Sequence, residues 1–61
     1  MGQVRHITQP NGNVAEVRQS WSKEWIATDP DATRARVCQS DNPPSGEQVQ
    51  HALQKERERG K

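Results

Sequence analysis

The chain has 61 residues, which gives it room for one small domain and no more. Apolar residues make up 28% of the composition, well below the roughly 45–50% that is usual in globular domains. Nine basic and eight acidic residues leave a net charge of +1, so the charge does not predict a strongly basic, nucleic-acid-binding chain. Low hydrophobicity alone would favour disorder, but the nearly balanced charge and the spaced Trp, Val and Ile residues favour a marginally stable folded domain or an obligate oligomer.

Cysteine content and hydropathy bear on the cellular compartment. Cys38 is the only cysteine, so no intrachain disulfide can form, whereas small secreted domains usually carry several. No apolar run approaches the ~18 residues of a membrane span. Residues 1–10 also lack the apolar core of a signal peptide. We therefore predict a cytoplasmic protein that does not contact a membrane.

A β-hairpin is predicted over residues 3–20. Its centre is Asn11-Gly12, a pair that tolerates the positive φ angles of a tight turn. A two-residue loop there divides the Val and Ile residues between both faces of the hairpin, and a three-residue loop over 11–13 places Ile7 beside Val17. Neither register gives one clean apolar face. We therefore expect either a bulge or cover on both faces, which a second copy of the chain would supply.

Residues 20–28 contain both tryptophans of a chain that has no Phe or Tyr. Trp, Ile and Thr suit a pleated surface, so we predict a strand in which Trp21 and Trp25 share a face. In a helix the same two residues would form an i, i+4 pair, so both conformations bring the rings together. We expect this pair to supply most of the core, because aromatic side chains bury the largest areas.

Residues 29–40 can be interpreted in two ways. The segment Asp29-Pro30-Asp31-Ala32 forms either a turn or the start of a helix with Asp29 as its N-cap. We predict a turn followed by a strand, although a thin stripe of small residues leaves a helix open. A strand would project Arg34 and Arg36 from one face, because side chains alternate along it.

The clearest helix is predicted over about 46–59, after a loop at 41–45. Ser45 and Gln48 fit a capping box at its start, and Val49, Ala52 and Leu53 form an apolar stripe two turns long.

The predicted elements define one domain over residues 1–61. It combines the hairpin at about 3–20, one or more further strands at about 21–40, the loop, and the helix. We therefore predict an α+β fold, a small antiparallel sheet built on the N-terminal hairpin with one C-terminal helix packed on it.

The residue types that carry metal or catalytic chemistry are sparse. His6, Cys38 and His51 are the only His and Cys residues, and none is spaced as a paired metal ligand. A lone cysteine is more often a small buried hydrophobe than a nucleophile. No phosphate-binding loop or catalytic motif is present. We expect no enzyme activity, no metal and no cofactor.

Binding to another protein is the leading functional hypothesis. Trp and Arg are enriched at binding hot spots, so the candidate binding residues are Trp21, Trp25, Arg34 and Arg36, and an exposed Trp would be the anchor. The chain would act as an adaptor or inhibitor, and a homodimer is one arrangement we consider. Its length resembles that of accessory proteins of phages and mobile elements, an analogy from size alone.

The alternative hypothesis is a small nucleic-acid-binding regulator. The Trp pair would stack on bases, and either the two arginines or the basic end of the C-terminal helix would contact phosphates. Acidic residues dilute each basic cluster, and affinity for a phosphate backbone depends on the number of basic contacts. This hypothesis therefore ranks second.

Overall fold

A four-stranded antiparallel sheet and one helix form residues 3–60, the part of the chain that the computed structural model describes. The strands run in chain order across the sheet, so the first and last strands are its edges. The α+β fold predicted from the sequence is confirmed. The elements are β1 (Val4–Thr8), β2 (Val14–Gln19), β3 (Glu24–Thr28), β4 (Arg34–Gln39) and α1 (Gly46–Arg59).

The β1–β2 hairpin has a register that separates apolar from polar side chains. Its loop is residues 10–12, so Ile7 lies opposite Ala15, and Val17 shares their face. This face packs into the core, and the other face is mainly polar. Neither predicted loop, over residues 11–12 or 11–13, forms, because the loop begins one residue earlier. The expectation that the hairpin needs a bulge or cover on both faces was therefore wrong. The faces of the hairpin therefore give no reason to expect a second copy of the chain.

The core lies between the sheet and α1 and contains only one of the two tryptophans. Trp25 is fully buried, whereas Trp21 is 93% exposed in the β2–β3 loop. The prediction that the two rings pack together was therefore wrong. Its physical cause is that Ser20 and Glu24 pair to close a three-residue loop, so the strand begins at Glu24. The rest of the buried hydrophobic core is aliphatic: Ala15, Val17, Ala27, Ala35, Val49 and Leu53.

The second half of the sheet follows the predicted turn and strand. Residues 30–32 form the β3–β4 loop, and Ala27 lies opposite Ala35 beneath the helix. A β-bulge occurs between Trp25 and Ile26, where the register with β4 shifts. The alternative of a helix over this segment is excluded for the described chain.

Helix α1 begins at the predicted capping box. The Gln48 backbone N–H donates to Ser45 Oγ at 3.3 Å, and the Ser45 N–H donates to Gln48 Oε1 at 2.9 Å. Val49 and Leu53 are fully buried against the sheet. The Asn11 N–H also donates to Gln50 Oε1 at 2.8 Å, which ties the helix to the first loop. Among residues 3–60, α1 is too short and too polar to cross a membrane.

Candidate functional site

The three hairpin loops of the sheet share one hydrogen-bonding geometry. In each loop, the residue just before the loop donates its backbone N–H to the carbonyl of the residue four positions later, at 2.8 Å. The carbonyl of that same residue accepts from the backbone N–H of the third loop residue, at 2.8–3.0 Å. The third loop residue has a positive φ in each case: Gly12 at 91°, Lys23 at 66° and Ala32 at 73°. A type I turn followed by a left-handed residue is an ordinary three-residue hairpin connection. Pro10, Trp21 and Pro30 therefore hold equivalent first positions.

Trp21 occupies the position that proline fills in the other two loops. Proline suits the first central position of a type I turn, because its ring fixes φ near the required value. Tryptophan gives the backbone no such advantage, and the Trp21 side chain makes almost no contact with the rest of the fold. The turn therefore does not account for this residue.

A hollow of about 290 Å³ lies beside Trp21, at the end of the sheet where the β2–β3 loop emerges. Val4 and Arg18 lie opposite each other in the β1–β2 register and form part of its wall, and Val4 is 51% exposed. Arg18 Nε donates to Glu16 Oε1 at 3.0 Å. Aromatic, aliphatic and guanidinium groups meet here, a combination typical of protein-binding hot spots. The remaining lining residues are Gln3, Gln19 and Ser20.

A row of side chains continues from this hollow across the uncovered face of the sheet. The registers align Arg18 with Ile26, and Ile26 with Arg36. Ile26 is half-buried, and both arginines are exposed. The face opposite α1 thus combines apolar side chains with basic ones and with the acidic Glu16 and Glu24 that pair with them.

Trp25 serves the fold. Its Nε1 donates to the Ser40 carbonyl at 2.9 Å, and Gln19 Nε2 donates to the same oxygen at 2.8 Å. These bonds hold the chain after β4 against the buried ring. A partner that leaves the fold intact cannot reach this side chain.

Arg34 and Arg36 both project from the uncovered face, as predicted for a strand. Arg36 Nη1 donates to Glu24 Oε2 at 2.7 Å, whereas Arg34 has no ion pair among residues 3–60. Hydrogen bonds from Arg36, and then from Ser22, lower the pKa of Glu24, so this carboxylate is ionised at neutral pH. With Arg18 also paired to a glutamate, the face offers few uncompensated cations for a phosphate backbone.

The residues considered for metal binding or catalysis do not assemble. Across residues 3–60, no three His, Cys, Asp or Glu side chains lie close enough together to hold a metal ion. Cys38 is a half-buried free thiol, and His6 lies 3.9 Å from Glu16 on the exposed face of the sheet.

Val4 and Arg18 belong to the hollow, although no pattern in the sequence marks them as binding residues. In the sequence only Asn11-Gly12 signals a left-handed loop position, and the positive φ of Lys23 and Ala32 is seen in the structure alone. The loop that places Trp21 outside the sheet therefore has no clear sequence signal.

No protein-family model, curated protein or solved structure matches the chain significantly, so the interpretation of this site depends on its residues and their geometry.

Proposed function

We propose that the protein binds another protein through Trp21, Val4 and Arg18, which together we call the Trp21 surface. In this proposal the chain is a non-enzymatic adaptor or inhibitor that works in the cytoplasm. The observation that carries the proposal is the 93% exposure of Trp21 at a loop position where proline would serve the fold better.

The energetics of burial support this assignment. Tryptophan buries about 150–250 Å² when fully covered, and at about 25 cal/mol per Å² a partner could gain up to about 4–6 kcal/mol from it. Val4 would add apolar area beside the ring, and Arg18 would add a hydrogen-bonding rim. Such a centre with a polar rim is the usual anatomy of an interface.

Replacement of Trp21 by proline tests the proposal without disturbing the loop. The chain, tagged and immobilised, is used to capture proteins from its source cells, and captured proteins are quantified by mass spectrometry. We expect a specific partner that wild type retains and Trp21→Pro loses. A partner retained equally by both forms would show that the ring is not the anchor.

A relocated tryptophan provides the matched control. The double variant Trp21→Pro with Pro30→Trp has the same composition as wild type and carries an exposed indole in the equivalent β3–β4 loop. We expect this variant also to lose the partner, because Val4 and Arg18 do not lie beside the new position. Restored capture would mean that any exposed indole suffices and that the Trp21 surface has no specific role.

Nucleic-acid binding is a second candidate, favoured by the exposed ring of Trp21 and by Arg34, a cation on the uncovered face with no ion pair within residues 3–60. Bases stack on exposed aromatic side chains in single-stranded nucleic-acid binders. Because Trp25 is buried, a base stacking on the protein would quench mainly Trp21 fluorescence. Salt-sensitive quenching by DNA or RNA that disappears in Trp21→Pro would favour this candidate over protein binding.

Self-association through the same surface is one form that protein binding can take. Sedimentation across micromolar concentrations measures it directly. A dimer that becomes monomeric in Trp21→Pro would identify the partner as a second copy.

A further inference from the structure

A groove of about 370 Å³ runs between α1 and β4, away from the Trp21 surface. Its apolar floor is formed by Ala35 and Val37 of β4 and by Ala52 of the helix. Ala35 is buried, whereas Val37 and Ala52 are half-buried, so part of this floor is accessible. The groove thus lies along an edge strand, with a helix as its opposite wall.

The backbone of β4 leaves hydrogen-bonding groups at this edge. The Asp29 N–H donates to the Thr33 carbonyl at 2.8 Å, which fixes the alternation of hydrogen-bonded pairs along the β3–β4 ladder. With Thr28 opposite Arg34 and Ile26 opposite Arg36, the N–H and C=O groups of both arginines point away from β3. Because β4 is the last strand of the sheet, they face outward. An added strand would find donors and acceptors there.

Basic side chains flank both sides of this edge. On the helix side the groove is lined by Lys55 and Arg59, and on the uncovered face lie Arg34 and Arg36. Arg36 pairs with Glu24 at 2.7 Å, and Arg59 pairs with Glu56 at 3.4 Å, whereas Lys55 and Arg34 have no ion pair among residues 3–60.

The groove itself has an excess of positive charge. On the helix side its lining contains Lys55 and Arg59 against one acidic residue, Glu56; Arg36 also lines it, but its side chain lies on the uncovered face. A strand lying along β4 would direct successive side chains to opposite sides, and each side would meet cations.

We propose that this edge binds an extended acidic segment of another protein by β-strand addition to β4. Main-chain hydrogen bonds to Arg34 and Arg36 would give affinity, and acidic side chains on both sides of the added strand would meet the basic residues. Addition of a peptide strand to an exposed sheet edge is an established mode of recognition. This surface is separate from the Trp21 surface, so the two proposals can fail independently.

The test uses a fluorescein-labelled peptide of repeated Glu-Glu-Thr-Thr, about eight residues long, the length of an ordinary strand. This repeat places glutamates on both sides of an extended strand. Its anisotropy is measured against increasing protein. We expect saturable binding that weakens with added salt. A peptide methylated on every backbone nitrogen, which leaves neither edge able to donate, and one with lysine in place of glutamate should each bind at least about tenfold more weakly. Each lacks one of the two required interactions.

Charge reversal locates the binding edge. We expect Lys55→Glu and Arg59→Glu each to weaken acidic-peptide binding several-fold, and Arg5→Glu, the same change on the opposite edge strand, to leave it within about twofold. Negative charge near the C-terminus of α1 interacts unfavourably with the helix dipole and could destabilise the helix. Lys55→Gln and Arg59→Gln therefore serve as milder variants, because they remove the positive charge without adding a negative one. Trp21→Pro should bind the peptide as wild type does.

Three results would overturn the proposal. The first is equal binding of the acidic peptide and its N-methylated form, because backbone pairing would then be absent. The second is equal loss in Arg5→Glu and Lys55→Glu, because the charge would then act nonspecifically. The third is tighter binding of a single-stranded oligonucleotide of equal charge, because the edge would then be a nucleic-acid site.

Discussion

Arg57 of α1 contacts the carboxylate of Asp29, which is only 3% exposed in the β3–β4 loop. The same carboxylate accepts from Gln9 Nε2 at 2.7 Å, so one buried acid joins both loops at this end of the sheet to the last turn of the helix. Gln9 is itself buried, and its Oε1 has no partner among the described residues. This network closes the end of the core opposite Trp21.

Removal of Asp29 should therefore cost more than a loop substitution usually does. Asp29→Ala removes the 2.7 Å acceptor of the buried Gln9 amide and leaves it only the 3.4 Å contact with the Asn13 carbonyl. We expect this change to lower the free energy of unfolding by about 1–3 kcal/mol. Arg57→Gln should also destabilise the fold. Arg59→Gln is the control: this side chain is 82% exposed, and its replacement should have little effect. Urea unfolding of Asp29→Ala, Arg57→Gln and the double variant measures the coupling, and strictly additive costs would contradict the network.

Gly46 is required by the way the helix meets the sheet. A Cβ at this position would lie inside van der Waals distance of the Thr8 backbone carbonyl oxygen, which cannot rotate away. Helix propensity alone predicts that Gly46→Ala gains about 0.5–1 kcal/mol. We expect the free energy of unfolding to fall by about 1–3 kcal/mol instead, because the added methyl group pushes the start of the helix away from β1. Thermal unfolding decides the sign, and a gain in Tm would show that the helix start does not rest on β1.

Features that depend on nearby residues could be predicted from the sequence, whereas strand register and loop boundaries could not. Ser45 and Gln48 form a capping box from side chains only three residues apart, and Val49 and Leu53 face the sheet as their spacing predicts. The partition of the two tryptophans, in contrast, depends on where a loop closes. Propensity favoured a strand through Trp21, and pairing between Ser20 and Glu24 excluded it. The residue types around Trp21 do not specify where this loop closes.

The candidate site shows the same limit. Arg34 and Arg36 share the uncovered face because strand alternation is a local property. The hollow beside Trp21 requires β1 and β2 to meet in one register, and the groove requires α1 to lie along β4. Such pairings come from packing between elements, which residue spacing within one element does not specify.

Trp21→Pro should leave the fold intact or make it slightly more stable. Pro10 and Pro30 occupy the equivalent position in loops with the same hydrogen bonds, and no backbone bond of the described chain uses the Trp21 N–H. A compatible proline gains about 0.4–1 kcal/mol by restricting the unfolded chain. Trp25 fluorescence reports unfolding in this variant. A marked drop in Tm would show that Trp21 supports the structure, which would weaken its assignment as a binding anchor.

Acid should weaken the ion pair between Glu24 and Arg36. The pKa of Glu24 is lower in the folded protein than its ordinary value, chiefly because of the hydrogen bond from Arg36. A lowered folded pKa means that the stabilisation is complete above the unfolded pKa and is lost as pH falls through the folded pKa. We expect the Tm difference between wild type and Arg36→Gln to be largest near pH 7 and to vanish at low pH. A difference independent of pH would exclude this pair as its cause.

Asp31 provides a second acid-sensitive contact of the same sign. Hydrogen bonds from the Thr33 hydroxyl and backbone N–H, and a smaller contribution from Arg57, lower the pKa of Asp31. Its stabilising contribution is therefore present above the unfolded pKa and declines as pH falls through the folded pKa. Carboxyl chemical shifts followed by NMR should show midpoints for Asp31 and Glu24 below those of the corresponding unfolded carboxyls. A midpoint at or above the unfolded value would contradict the hydrogen bonds that the structure gives them.

The left-handed loop positions allow a matched pair of glycine exchanges. Ala32 has a φ of 73°, a conformation that costs an L-residue roughly 1–2 kcal/mol. Gly12, at 91°, holds the equivalent position, and a Cβ there would meet nothing within 4 Å. After the greater chain entropy of unfolded glycine is subtracted, we expect Ala32→Gly to stabilise the fold by about 0.5–1 kcal/mol and Gly12→Ala to destabilise it similarly. Because no clash accompanies either change, urea unfolding measures backbone strain alone, and equal signs for the two variants would mean that the loops do not share one geometry.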